Sequence, residues 1–409
     1  MIPKLRLAYN AAYSDATYSA YQAGLERIAG CQIGFRLAET PLFLPPTLRD
    51  EIVSNGLEIV RSLATPEHQA WSLAALPPDF DTPRCDDHPL FLQVDFALTR
   101  DRGHGGDADG PVVPRLVELQ GFPSLYAFQL FQGKALAEIT PGGSDLRFLL
   151  SGHDEAGYVA LLGRALLAGH APGNVVLLEL DPDRQKTLVD FRLTERLWGI
   201  PTVDAASVEV RGRELWYRRD GKPTRIERIY SRIVPDELLG SGVALPFRFT
   251  DDLDVEWAGH PNWYYRWSKH SLPWLRHPAV PEANLLSALD APPDDLDRWV
   301  LKPLFAFAGA GVKVDVTAAD LAAVPEAHRD RTMLMRKIDY EPLLATVDGQ
   351  HSKAEIRLML VWPPGDPEPT PVTTLVRLSQ GAMMGVDFNR NRTWVGSSTS
   401  LWPADGQGT

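Results

Sequence analysis

The spacing of apolar and polar residues changes period several times along the chain, and those changes divide it. In the first 87 residues, 18–28 and 48–63 carry apolar side chains at helical spacing. An irregular segment with Pro41, Pro45 and Pro46 lies between them. From residue 89 the period shortens. Residues 90–98 read as a strand, 101–110 as an exposed turn rich in Gly and Asp, and 112–119 as the partner strand. Residues 124–132 then read as the start of a helix capped by Ser124. Near Gly173 a new unit opens, with a buried strand at 174–180, a helix at 185–198 and an extended return at 201–203. Alternating strands follow at 207–218 and 225–230. Strand, helix, strand at this spacing predicts a small α/β layer. The last unit starts at about residue 260. It holds strands at 332–338, 354–362 and 372–378 and a proline-dense surface loop at 363–371. The pattern thus predicts an α/β protein with a helical region over 1–87 and units over 88–172, 173–255 and 256–409. It contains no internal repeat and no low-complexity tract.

Composition narrows the function. The chain has 409 residues, 44% hydrophobic and 23% charged, which suits a globular protein with more than one packed core. A formal net charge of −12 leaves no basic surplus to displace counterions, so nucleic acid is not an expected partner. Two cysteines, Cys31 and Cys85, make neither a disulfide framework nor a metal cluster and are expected as reduced thiols in the cytoplasm. The start of the sequence lacks the apolar core of a signal peptide, and no apolar run is long enough for a membrane span.

The most informative stretch is 299–316. A hydrophobic strand delivers Lys302, a loop of small residues with Gly309 and Gly311 follows, and an alternating strand at 312–316 leaves it. A lysine offers a point charge, and glycines let backbone N–H groups approach phosphate oxygens. An ordinary hairpin with a glycine turn explains the same segment about as well. Glu118-Leu-Gln120 sets two oxygen-bearing side chains on one strand face, with Asp95 on the strand expected to pair with it. Such oxygens are magnesium ligands, or simply a solvated polar face. Lys269 sits in an aromatic segment, from which it would snorkel unless it joins Lys302 on a phosphate. Glu355 and Arg357 share a strand face and Arg377 lies on the next strand, while Asp387, Asn389 and Asn391 mix with Arg390 and Arg392. Charge-paired strands or an anion-binding rim both fit. The ten histidines show no metal spacing, and the hydrolase elbow, dinucleotide fingerprint and P-loop strings are absent.

Taken in order, these pieces resemble the circularly permuted ATP-grasp proteins, the group that includes the synthetase domain of glutathionylspermidine synthase. Asp95 followed by Glu118-Leu-Gln120 and Pro123-Ser124 resembles that family's Asp…Glu-x-Asn and Pro-Thr/Ser turn, with Gln120 in place of the usual asparagine. Ile229-Tyr-Ser-Arg232 resembles the tyrosine-arginine strand closing the α/β layer. Ser268-Lys269 resembles the first nucleotide lysine, and Val300-Leu-Lys-Pro303 the second, with its phosphate loop at Phe307, Ala308, Gly309, Ala310 and Gly311. Residues 334–338 take the place of the adenine hinge, with Met335, Arg336 and Ile338 as contacts and Arg336-Lys337 where Gln-Glu is common. The resemblance covers residues 88–403 and implies two α+β subdomains sandwiching ATP. It implies Mg2+ on Asp95, Glu118 and Gln120, and Arg357, Arg377 and Arg232 as catalytic residues. The implied reaction joins a small-molecule carboxylate to an amine through an acyl phosphate. A phosphotransferase or a non-catalytic nucleotide-binding protein would use the same site. Residues 1–87 match no family; they are candidates to cover the acceptor site or to mediate homodimerisation.

Overall fold

The structure is a computed structural model that describes residues 1–101, 110–305, 311–381, 384, 389 and 391–404. At its centre is an antiparallel sheet in the order Gly396–Ser398, Thr370–Ser379, His351–Val361, Phe91–Arg100, Val112–Gln120. The short strand Leu344–Ala345 adds to His351–Val361. Strands on either side of the α/β unit in sequence therefore meet in one sheet. The registers pair Asp95 with both Arg357 and Glu118, and Glu355 with Arg377.

Because side chains alternate, the two faces of this sheet differ. On one, Val94, Phe96, Leu98, Leu116, Leu119, Ile356, Leu358 and Leu360 form a core with Ile52, Ile59 and Leu63. These last three come from the helix Pro46–Leu63. Each fully buried Leu or Phe contributes about 1.5–3 kcal/mol here. The other face is apolar at one end only. There Phe91, Met359, Val361 and Leu375 pack with Tyr126, Phe128 and Leu162 of the helices Tyr126–Ile139 and Glu155–Leu167. The rest of that face carries Asp95, Glu118, Glu355, Arg357 and Arg377.

The α/β layer is a parallel sheet in the order Glu256–Trp257, Arg228–Ser231, Val175–Glu179, Thr202–Asp204. Val175, Leu177 and Tyr230 point into one core and Val176, Leu178 and Ile229 into another, as a parallel sheet buried on both sides requires. The helix Leu188–Trp198 links two of its strands. A third, antiparallel sheet has the order Ala283–Leu285, Thr332–Arg336, Trp299–Pro303. It closes over its own small core, which includes Trp299, Leu301, Val316 and Leu334.

The first 87 residues hold the helices Pro3–Ala12, Asp15–Ala29, Pro46–Leu63 and Pro66–Ser72. Leu42–Phe43 also pairs with Ser400–Pro403, tying that region to the far end of the chain. Two local expectations change. The strand expected at 312–316 is reduced to one bridge, between Leu301 and Lys313. Gly311 makes the turn into it at a φ of +71, and a Cβ there would come within 2.9 Å of Pro303 Cγ. Ser124 does not cap the helix that follows it. Leu125 occupies that position at a φ of +64, and Asp190 supplies the acceptors, taking N–H bonds from Leu125 at 3.2 Å and Phe128 at 3.0 Å.

Candidate functional site

A cavity of about 1380 Å³ lies where the three sheets face one another, with Glu118, Gln120, Lys269, Lys302, Arg357, Arg377, Arg232, Arg336 and Ile338 all on its walls. Its floor is the charged part of the central sheet.

The floor begins with a bulge. Asp95 pairs with Glu118 but Phe96 pairs with Leu116, so Val117 is an extra residue. Lys302 Nζ donates to the Val117 carbonyl at 3.5 Å. Beyond the bulge, Gln120 Nε2 donates to Glu118 Oε1 at 3.0 Å. The chain turns at Gly121, where a Cβ would come within 2.8 Å of the Trp263 carbonyl. Gly121 N–H donates to the Trp267 carbonyl at 2.7 Å. That close approach brings the segment carrying Lys269 alongside, and Lys269 Nζ lies 3.4 Å from Glu118 Oε2. Burial opposes ionisation of Glu118, but Lys269, Arg377, Arg357 and Lys302 outweigh it and hold the carboxyl at about 2. Lys302 shows the reverse balance: burial pulls its pKa below the ordinary lysine value against the attraction of Glu118.

Asp95 lies beneath this surface, fully buried and outside the cavity lining. Arg357 grips it with Nε at 2.6 Å and Nη2 at 2.7 Å, and Arg357 Nη1 donates to Gln93 Oε1 at 2.7 Å. Arg377 Nη2 also contacts Asp95 and pairs with Glu355, to which Tyr340 donates its hydroxyl. Burial raises the Glu355 pKa, with Arg377 opposing; burial also opposes protonated Arg377, but Glu355 and Asp95 raise its pKa.

Opposite the floor, Val300, Leu304, Phe305, Val312, Val314 and Ile338 form an apolar wall. Met335 is buried in the middle strand, its sulfur 3.4 Å from Lys302 Nζ, and is not part of that wall. Arg336 lies over the Trp299 ring at 4.5 Å and donates to Asp295 at 2.6 Å. At the far end, Arg232 holds Asp190 at 2.6 Å, so one carboxylate caps a helix and fixes an arginine. Neighbouring Glu179 is 4% exposed, and burial pushes its carboxyl up to about 8. Phe307, Ala308, Gly309 and Ala310 lie outside the described residues, as do Asp387 and Arg390. Asn389 is buried, accepting from Ser379 Oγ at 3.1 Å, and Arg392 donates to the Gln380 carbonyl at 3.1 Å; neither joins the cavity lining.

Sequence reasoning missed Tyr340, Lys353 and, apart from Ile338, the apolar wall. Lys353 was within reach, because it shares strand parity with Glu355 and Arg357. Tyr340 follows the third sheet's middle strand and carries no periodic signal.

The donor set fits magnesium in one place. Glu118 is firmly ionised beside the Gln120 amide, and magnesium commonly takes one carboxylate and completes its shell with phosphates and water. Among the described residues no group of three or more His, Cys, Asp or Glu could hold a metal by itself.

No family model matches this sequence, and no curated protein does either. Among solved structures the chain is similar to a glutathione synthetase-like effector from Globodera pallida in its apo form. The TM-score is 0.57 with 11% sequence identity, over 96% of this chain and 98% of the other. The chain thus shares the mixed α/β fold of that glutathione synthetase-like effector. Among the described residues no helix is long and apolar enough to cross a membrane.

Proposed function

We propose that the protein is an ATP- and magnesium-dependent ligase that joins a small carboxylate to an amine. One observation carries this reading. Glu118, Gln120, Lys269, Lys302, Arg357 and Arg377, drawn from three separate parts of the chain, converge on one cavity beside an apolar wall. A nucleotide needs both halves: an apolar slot for the base and cations for the phosphates. The likeness to the glutathione synthetase-like effector supports the same assignment. Kinship with the circularly permuted ATP-grasp ligases, including glutathionylspermidine synthase, is part of the proposal.

The base would lie against Val300, Val314 and Ile338. Lys269 and Lys302 would hold the phosphates. Magnesium on Glu118 and Gln120, when bound, would neutralise phosphate charge. A substrate carboxylate oxygen attacks the γ-phosphorus in line and ADP leaves, giving an acyl phosphate. Arg357 and Arg377 stabilise the charge spread over the transferring oxygens, the largest expected contribution from fixed cations. The amine nitrogen then attacks the acyl carbon and expels inorganic phosphate, leaving an amide. The end of the cavity near Glu179 and Arg232 is the place for the substrates. Burial favours the neutral form of Glu179, which suits it to donating a hydrogen bond there.

A metabolite screen scoring ADP release, followed by product analysis, tests the proposal. An amide with equimolar ADP and phosphate supports it. A phosphorylated substrate would make the protein a phosphotransferase. Magnesium-dependent ATP binding with no turnover on any carboxylate–amine pair would make it a binding protein.

A further inference from the structure

Asp95 looks from sequence like a third metal ligand, but its surroundings give it another task. Its carboxylate is fully buried and both oxygens are occupied: Arg357 takes one at 2.6 Å and the other at 2.7 Å, and Arg377 shares the second. A metal ion placed there would have to displace two guanidinium groups. Arg357 and Arg377, in contrast, both reach the cavity wall. Each has a second holder: Gln93 at 2.7 Å for Arg357, and Glu355 for Arg377, the latter fixed by Tyr340. A bidentate guanidinium–carboxylate pair fixes direction as well as charge. On the cavity floor, Glu118 instead lies beside the Gln120 amide, whose Nε2 donates to it at 3.0 Å, with Lys269 at 3.4 Å.

We propose that Asp95 is a positioning residue that aims Arg357 and Arg377 at the terminal phosphate, so that a single magnesium ion, held by Glu118 and Gln120, suffices. This rests on the ATP-ligase reading of the cavity and goes further, by assigning to two arginines the charge neutralisation that a second ion would otherwise provide. It takes Asp95 out of the metal set that the resemblance implies: Glu118 and Gln120 serve the metal, Asp95 the arginines, and the arginines the phosphate.

The test uses the full chain, Mn2+ as a spectroscopic stand-in for magnesium, and ATP and ADP as probes. Paramagnetic resonance titration should count one Mn2+ per chain in the ATP complex. Asp95→Asn should erode the preference for ATP over ADP by about tenfold or more, the scale of a lost hydrogen bond to a charged group. Its Mn2+ affinity with ADP bound should stay within about twofold of wild type. Glu118→Gln should do the opposite, weakening Mn2+ and leaving the preference largely in place. If Asp95→Asn does not fold, Arg357→Lys answers the same question: it keeps the charge but cannot form the two-pronged grip, and should erode the same preference. Two Mn2+ per chain, or parallel loss of Mn2+ in Asp95→Asn and Glu118→Gln, would overturn the proposal and leave the ligase reading standing. A wild-type chain that binds no ATP in the presence of magnesium would remove that reading itself.

Discussion

The two faces of the central sheet use the same strands for opposite ends. Phe96 and Leu358 point one way into a dry core, while their sequence neighbours Asp95 and Arg357 point the other way into a network of charges. On the first face, position along the strand matters little so long as the side chain is apolar and fills space. On the second, each residue is defined by a partner: Asp95 by two arginines, Glu355 by Arg377 and Tyr340, Glu118 by Lys269. The lesson is that one face supplies the stability that lets the other hold like charges together.

Substitutions that touch one face at a time sharpen this contrast. The largest stability effect belongs to the apolar face. Phe96→Ala should cost about 3–5 kcal/mol, read by chemical denaturation, with a persisting protein still binding ATP. On the charged face, Lys302→Ala should abolish ATP turnover, a loss of about 3 kcal/mol or more in transition-state stabilisation, while circular dichroism stays native. Full activity in that variant would break the assignment.

A pH titration separates the faces again. The Glu118 pKa in the folded protein lies at about 2, below its ordinary value of 4.5, so its ionised form stabilises the fold above pH 4.5. That contribution disappears as pH falls towards 2. Glu355 is shifted upward, so it favours the fold when protonated and its contribution fades as pH rises. Wild-type stability should therefore climb between pH 2 and 4.5 with a component that Glu118→Gln lacks; Phe96→Ala should keep the same slope. The smallest effect is on the apolar face. Gly56→Ala would set a Cβ 2.4 Å from Leu358 Cδ2, and the crowding should outweigh the gain in helix propensity by about 1 kcal/mol.

Much of this was legible in the sequence wherever a local period governs. The strands expected at 90–98 and 112–119 are Phe91–Arg100 and Val112–Gln120, and alternation alone put Glu118 with Gln120 and Glu355 with Arg357. What escaped depends on contacts between distant segments. Asp190 caps a helix that starts 64 residues earlier, so Ser124 was a reasonable but mistaken candidate. The apolar wall facing the floor uses Val300 and Val314, which read in sequence as ordinary strand interior. No local rule announces that Asp95 turns towards two arginines from strands more than 250 residues away.

The extra residue at Val117 has a consequence for the whole arrangement. It resets the odd–even phase of its strand. Were Val117 to pair in ordinary register opposite Asp95, Glu118 would fall opposite Val94 and be driven into oil, and Leu119 would take its face of the sheet towards the cavity. The residue count of this strand is therefore a functional quantity. Loss or gain of one residue between Glu118 and Gln120 would turn the Gln120 amide to the apolar face and leave Glu118 without it, whereas removal of Val117 itself would close the ladder with Glu118 still opposite Asp95. Homologous chains are accordingly expected to vary freely in letter at Val117, and in length at no other point of this strand.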